Sequence, residues 1–159
     1  MEKNKNLEKF VELDDSLYLD FVQFNCLTHN LSPLASKIYS YLIFDFKGEG
    51  VCFDHFVDLF SVSKSSVSSS IQTLLERKLV CDRHISDERK RNFILNNDYL
   101  SVRFQELVNR LETERSLIEK LSVRFSETNN EPNLKLELCE KLFSDNIIRI
   151  KKTIKEITN

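Results

Sequence analysis

Apolar side chains recur at helical spacing through most of this chain, and the breaks in that spacing mark its elements. In residues 5–29, Leu7, Phe10, Val11, Leu17, Phe21 and Phe24 follow three- and four-residue steps and predict a first helix. Leu13, Tyr18, Val22 and Leu27 widen its apolar stripe, so more than one side must be covered. Ser32-Pro33 is a start signal, a capping hydroxyl followed by a ring already set at helical φ. The helix it opens carries Leu34, Ile38, Tyr41 and Leu42 on one face and runs to about residue 44. Residues 46–50 hold Gly48 and Gly50 and predict a turn, and residues 51–53 a short strand. Asp54 is the expected cap of a short helix with Phe56, Val57, Leu59 and Phe60 inward.

Residues 61–70 contain seven serines, the composition of a linker. The apolar spacing overrides it: Val67, Ile71, Leu74 and Leu75 stand at i, i+4, i+7 and i+8. A helix capped by Ser63 and ending near Lys78 is therefore expected. Its opposite face carries Lys64, Ser65, Ser66, Ser68, Ser69, Gln72 and Thr73. Residues 79–85 and 92–95 have strand character, and the charged segment 86–91 between them reads as the tip of a projecting hairpin. Asp98 can cap a long helix with Leu100, Phe104, Leu107, Leu111, Glu114, Ile118, Leu121 and Phe125 as a heptad seam with one polar position. Residues 129–132 break it. A last helix from about Asn133 sets Phe143, Ile147, Ile150, Ile154 and Ile157 on one face.

Composition agrees with a mainly helical chain. Only 2 Gly and 2 Pro in 159 residues leave too few turn-formers for a many-stranded sandwich, and 12 Phe supply core volume without Trp. The net charge of −2 conceals an uneven distribution. Residues 61–91 hold seven cations (Lys64, Arg77, Lys78, Arg83, Arg89, Lys90, Arg91) against four anions, a net +3. A basic middle in an acidic protein suits nucleic-acid contact on one face. Cys26, Cys52, Cys81 and Cys139 show no metal-site spacing, and no cofactor is expected. No apolar run approaches the roughly 20 residues that span a bilayer, and the N-terminus has no apolar signal core. A cytoplasmic protein with reduced thiols, and no membrane partner, is expected. His29, His55 and His84 have no catalytic partner at a recognisable spacing, so no enzyme activity is expected.

Helix, turn, polar helix and basic hairpin in that order form a helix-turn-helix with a wing. The second helix can enter the major groove of double-stranded DNA, about 12 Å wide. Lys64, Ser65 and Ser66 would meet phosphate at the helix N-terminus. Ser68, Ser69, Gln72 and Thr73 lie further along the same face, where Ser68, Ser69 and Gln72 can reach base edges. Arg89, Lys90 and Arg91 at the hairpin tip would supply the electrostatic grip. Two alternatives stand beside this reading: a winged-helix module that holds a protein partner without DNA, and a serine-rich face that is merely solvated.

Residues 31–33, the S-K-S-S-V-S run from Ser63, the L-L-E-R-K-L-V of residues 74–80, and Asp87-x-Arg89-x-Arg91 before Phe93-Ile94-Leu95 together resemble the MarR family of transcriptional regulators. The serine run is closest to its GbsR-like branch. The resemblance covers about residues 7–125. Ser65 stands where that branch usually has Gly, and Lys78 where Gly often ends the recognition helix. The resemblance implies a mainly α fold with a small β-hairpin wing, a winged helix-turn-helix with N- and C-terminal dimerisation helices. It also implies an obligate homodimer and repression relieved by a small-molecule effector. Such an effector would meet Tyr18, Phe21, Phe24, Tyr39 and Tyr41, although aromatic residues at helical spacing are more often core. The expected organisation is a dimerisation helix in 1–30, the DNA-binding domain in 31–97 and dimerisation helices in 98–159. The apolar seams of the last segment independently favour a homodimer; a helical hairpin folded within one chain is the alternative.

Overall fold

A computed structural model of the chain describes residues 10–84 and 91–158. Its contacts divide into two compact units, residues 1–99 and 100–159.

The first helix among the described residues is α1 (Ser16–His29), which starts later than the helix expected over 5–29; residues 5–9 of that expectation lie outside the described residues. Asp15 stops its extension backward, because its carboxylate accepts the Tyr18 N–H at 3.0 Å and caps the helix there. Phe10, ahead of it, leaves the helical path and stacks on Tyr41 with ring centroids 5.3 Å apart. Asn30, in the left-handed region at φ 49, ends α1.

Ser32 and Pro33 act as expected at the start of α2 (Pro33–Ile43), with the Ser32 hydroxyl accepting from Ala35 N–H at 3.3 Å. The following turn is tied by Asp45, whose carboxylate accepts from Glu49 N–H at 3.0 Å and Gly50 N–H at 2.7 Å. It feeds β1 (Val51–Cys52) and then α3 (Phe53–Phe60). The cap of α3 is Cys52, without a side-chain bond; Asp54 lies inside the first turn instead, where its charge favours the helix dipole.

Two turns are closed without glycine. At the end of α3, Val62 N–H bonds to Val57 C=O and Ser61 N–H to Asp58 C=O, with Ser61 at φ 51. At the end of α4 (Lys64–Glu76), Leu79 N–H bonds to Leu74 C=O and Lys78 N–H to Leu75 C=O, with Lys78 at φ 57. Both are Schellman closures, and each forces a side chain into the left-handed region. The Asn96 amide donates to the Lys78 carbonyl at 2.7 Å and holds the second one.

β2 (Val80–His84) and β3 (Arg91–Leu95) pair antiparallel, and β1 adds to the free side of β3 through Val51 opposite Phe93. The result is a three-stranded antiparallel sheet in the order β1-β3-β2, one strand more than the hairpin itself. Ile38, Leu42, Phe56, Val67, Leu74, Leu79, Val80 and Phe93 are buried, each side chain contributing about 1.5–3 kcal/mol relative to exposure. This part of the chain is mostly helical with a small sheet, consistent with a winged helix.

The second unit is a helical hairpin. α5 (Tyr99–Asn129) starts one residue after Asp98 and ends at Asn130, φ 56; α6 (Leu134–Thr158) starts after Asn133, whose side-chain oxygen accepts from Lys135 and Leu136 N–H at 3.1 and 3.3 Å. Lys151 of α6 meets Glu112 of α5 at 2.6 Å. On the predicted seam of α6, Ile147 is buried and Phe143, Ile150 and Ile154 are half-buried. Glu114, the polar position of the α5 seam, is exposed. A second stripe went unread in the sequence: Leu134, Leu138 and Leu142, spaced by four on α6, are all exposed.

Candidate nucleic-acid interface

The serine-rich segment is a helix because one face of it is core. Val67, Ser70, Ile71 and Leu74 are buried, and α4 packs on α2 and α3 through them. That leaves Lys64, Ser65, Ser66, Ser68, Ser69, Gln72 and Thr73 exposed, all seven residues singled out for this face. Ser70 belongs to the core face, where a small side chain fits at 6% exposure.

The start of α4 is knitted by hydroxyls. Ser63 accepts from Ser66 N–H at 3.2 Å, and its oxygen lies 2.9 and 2.8 Å from the hydroxyls of Ser65 and Ser66. Further along, Thr73 donates to the Ser69 carbonyl at 3.1 Å, and the Gln72 amide donates to Glu76 at 2.9 Å. A base edge must therefore compete with Glu76 for Gln72. Between the start of α2 and this face lies a shallow groove of about 560 Å³, lined by Ser32, Pro33, Leu34, Val62, Ser65, Ser66, Ser69 and Ser70. None of these side chains is ionisable, so the groove offers hydroxyls to a polar surface without repelling or attracting it at long range.

The cations of the middle segment divide by partner. Arg77 donates to the His29 carbonyl at 2.6 Å and Arg83 to the Gly48 carbonyl at 2.9 Å, both structural contacts. Lys64 pairs with the Asp54 carboxylate at 3.3 Å, and Arg91 with the Asp82 carboxylate at 2.5 Å. The Arg91 guanidinium also lies 5.5 Å from the centroid of the Phe93 ring. Arg89 and Lys90 lie outside the described residues.

The five aromatic residues considered for an effector are packed within the first unit. Tyr18, Tyr39 and Tyr41 are fully buried. Tyr18 donates its hydroxyl to the Lys37 carbonyl at 3.3 Å, and the Tyr41 hydroxyl accepts from Phe10 N–H at 3.3 Å. Burial, then the nearby Tyr41, pushes the Tyr18 phenol far above its usual range, so it stays neutral. Phe21 meets Phe44 edge-on at 6.0 Å, and Phe24 meets the His29 ring at 5.5 Å. Phe21 and Phe24 are the two of the five that solvent reaches.

All four cysteines are free thiols, and the described residues contain no cluster of His, Cys, Asp and Glu able to hold a metal ion. No helix among them is long and apolar enough to cross a membrane.

No family model matches this chain, and no curated protein matches it. Among solved structures, the crystal structure of a transcriptional regulator matches with a TM-score of 0.59 at 12% identity, over 89% of this chain and 97% of that one. At that identity the likeness is one of fold.

Proposed function

We propose that this protein is a DNA-binding transcriptional regulator that recognises a pseudo-palindromic duplex as a homodimer. The observation that carries the reading is the exposed face of α4. It is a run of short uncharged hydrogen-bonding side chains with one cation, Lys64, at its N-terminal end, set directly after a tight turn and followed in the chain by the sheet hairpin. Short polar side chains let a helix backbone approach a groove closely, and such a helix after such a turn is the geometry of major-groove readout. The shared fold with a transcriptional regulator supports the same class.

Within this proposal, Lys64, Ser65 and Ser66 meet phosphates, Ser68, Ser69 and Gln72 reach base edges, and Thr73 lies on the same DNA-facing side. Arg89, Lys90 and Arg91 supply the grip at the hairpin. Residues 31–97 form the DNA-binding domain, and 1–30 and 98–159 form the dimer. The exposed Leu17 and Leu27 on α1 and Leu134, Leu138 and Leu142 on α6 support a second copy as the cover for these helices. The motif resemblance to the MarR family and its GbsR-like branch supports repression, relieved by a ligand that reaches Phe21 and Phe24.

The test is a fluorescence titration of the protein against duplex from its own promoter region at two salt concentrations. Binding at low salt that weakens with salt, and weakens further on Arg89→Ala with Arg91→Ala, is expected. Replacing Gln72 should change sequence preference, whereas Arg89→Ala should weaken binding to all sequences. The competing reading, a protein-binding module, draws on the uncharged run of residues 65–73 in α4. It requires a partner captured through the serine face and no DNA affinity.

A further inference from the structure

Lys64 and Arg91, the described cations of the candidate interface, are each held by a carboxylate. We propose that Asp54 and Asp82 occupy the places of duplex phosphates on Lys64 and Arg91, and so set both the affinity for DNA and its salt dependence. This inference rests on the DNA-binding reading above.

The geometry of each pair suits an exchange. Lys64 is the first residue of α4 and Asp54 lies in the first turn of α3, so the pair at 3.3 Å spans the helix-turn-helix. Their side chains are 74% and 52% exposed. An ion pair this open contributes little to stability and is readily traded for another anion. Arg91 and Asp82 lie on neighbouring strands, also open to solvent. The Phe93 ring beneath Arg91 stays in place when Asp82 turns away, so the guanidinium has support of its own. A carboxylate and a phosphate both accept from these donors, and a guanidinium takes either in two-pronged fashion.

The electrostatic consequence is distinct from ordinary phosphate contact. A free lysine reaching a phosphate displaces a condensed cation, and each such contact contributes about −0.9 to the slope of log K against log salt. A lysine that carries its own carboxylate arrives neutral. When phosphate replaces Asp54, the released carboxylate remains beside the duplex and offsets the charge gained. Lys64 and Arg91 therefore orient the helix and hairpin while adding little to the salt slope.

The experiment uses the full chain with a labelled duplex from its own promoter region, titrated from about 50 to about 200 mM salt. The variants are Asp54→Asn and Asp82→Asn, each alone and combined with Lys64→Gln or Arg91→Gln respectively; circular dichroism checks that each is folded. Each Asn variant should bind more tightly than wild type, and its slope should steepen by about 0.9 for every freed cation that reaches a phosphate. The gain over wild type should then grow about three- to fourfold between the high and low ends of that range. In the Lys64→Gln and Arg91→Gln backgrounds the gain should disappear. Equal gains with and without the cation would mean simple relief of repulsion, and would overturn the exchange while leaving DNA binding intact. Unchanged slopes would do the same. Failure of wild type and both Asn variants to bind at the low end would overturn the DNA-binding reading and the exchange together.

Discussion

The Arg77 guanidinium donates at 2.6 Å to the carbonyl of His29, across 48 residues of sequence, and joins the C-terminal end of α4 to that of α1. His29 is the last residue of α1 and Arg77 the cap of α4, so the cation sits at the carbonyl-rich end of α1. Arg77→Ala should lower stability by about 1–2 kcal/mol, the worth of a charged hydrogen bond reduced by partial exposure. Arg77→Lys should restore part of it. Urea unfolding followed by circular dichroism measures both; a neutral Arg77→Ala would show that the bond holds nothing together.

Ser61 and Lys78 adopt φ values of 51° and 57° in the two Schellman closures that bracket α4. The left-handed conformation costs a side chain about 1–2 kcal/mol, and glycine returns about 0.5–1 of that in unfolded-chain entropy. Ser61→Gly and Lys78→Gly should each stabilise the fold by roughly 0.5–1 kcal/mol, a rise of a few degrees in melting temperature. Destabilisation by either would mean that the original side chain makes a contact worth more than the strain.

The two glycines should answer differently to the same change. At Gly48, φ 65, an added methyl meets open space, and Gly48→Ala should cost about 0.5–1 kcal/mol, the backbone strain less the unfolded-chain entropy that alanine saves. At Gly50, φ 78, the methyl would sit 2.7 Å from Ile94 Cγ2 and 3.1 Å from the Phe93 carbonyl. Gly50→Ala must therefore also push β1 away from β3, and it should be the more destabilising of the two in parallel denaturation curves.

His55 lies against the Tyr41 ring at a centroid distance of 6.2 Å, and burial holds its pKa below the ordinary 6.5, with Asp58 opposing the shift. The unfolded chain thus takes up a proton before the folded one does. Its contribution to stability is whole above about pH 6.5 and is lost as pH falls from there through the folded value. Melting temperatures measured from neutral to mildly acidic pH should fall more steeply for wild type than for His55→Gln. Parallel curves would assign the acid sensitivity to other groups.

Cys81 is half-buried on β2, and burial, then Asp82 and Asp98, pushes its thiol above the usual range. The thiolate is the reactive form, so Cys81 should be alkylated more slowly than a free thiol near neutral pH. Peptide mapping after timed iodoacetamide exposure reads this directly, and rapid labelling would contradict it.

The sequence by itself determined the elements whose causes are local. Val67, Ile71 and Leu74 marked the buried face of α4 against a linker-like composition, and with it the seven exposed residues opposite. Ser32 and Ser63 capped their helices where their spacing placed them, because a cap bonds an amide three residues away. The start of α1 was harder to read, because apolar spacing continues upstream of Asp15; the Asp15 cap ends the helix locally, and the stacking of Phe10 on Tyr41, 31 residues on, holds the preceding chain off the helical path. The left-handed turns at Ser61 and Lys78 carry no glycine to announce them. Asp54, a cap by sequence, became the partner of Lys64, and Arg91, a free grip by sequence, became the partner of Asp82. Periodicity and capping are settled within about one helical turn. Which carboxylate meets which cation, and which carbonyl Arg77 reaches, depends on how separate elements pack, so tertiary structure alone decided the charge state in which α4 and the hairpin would meet a duplex.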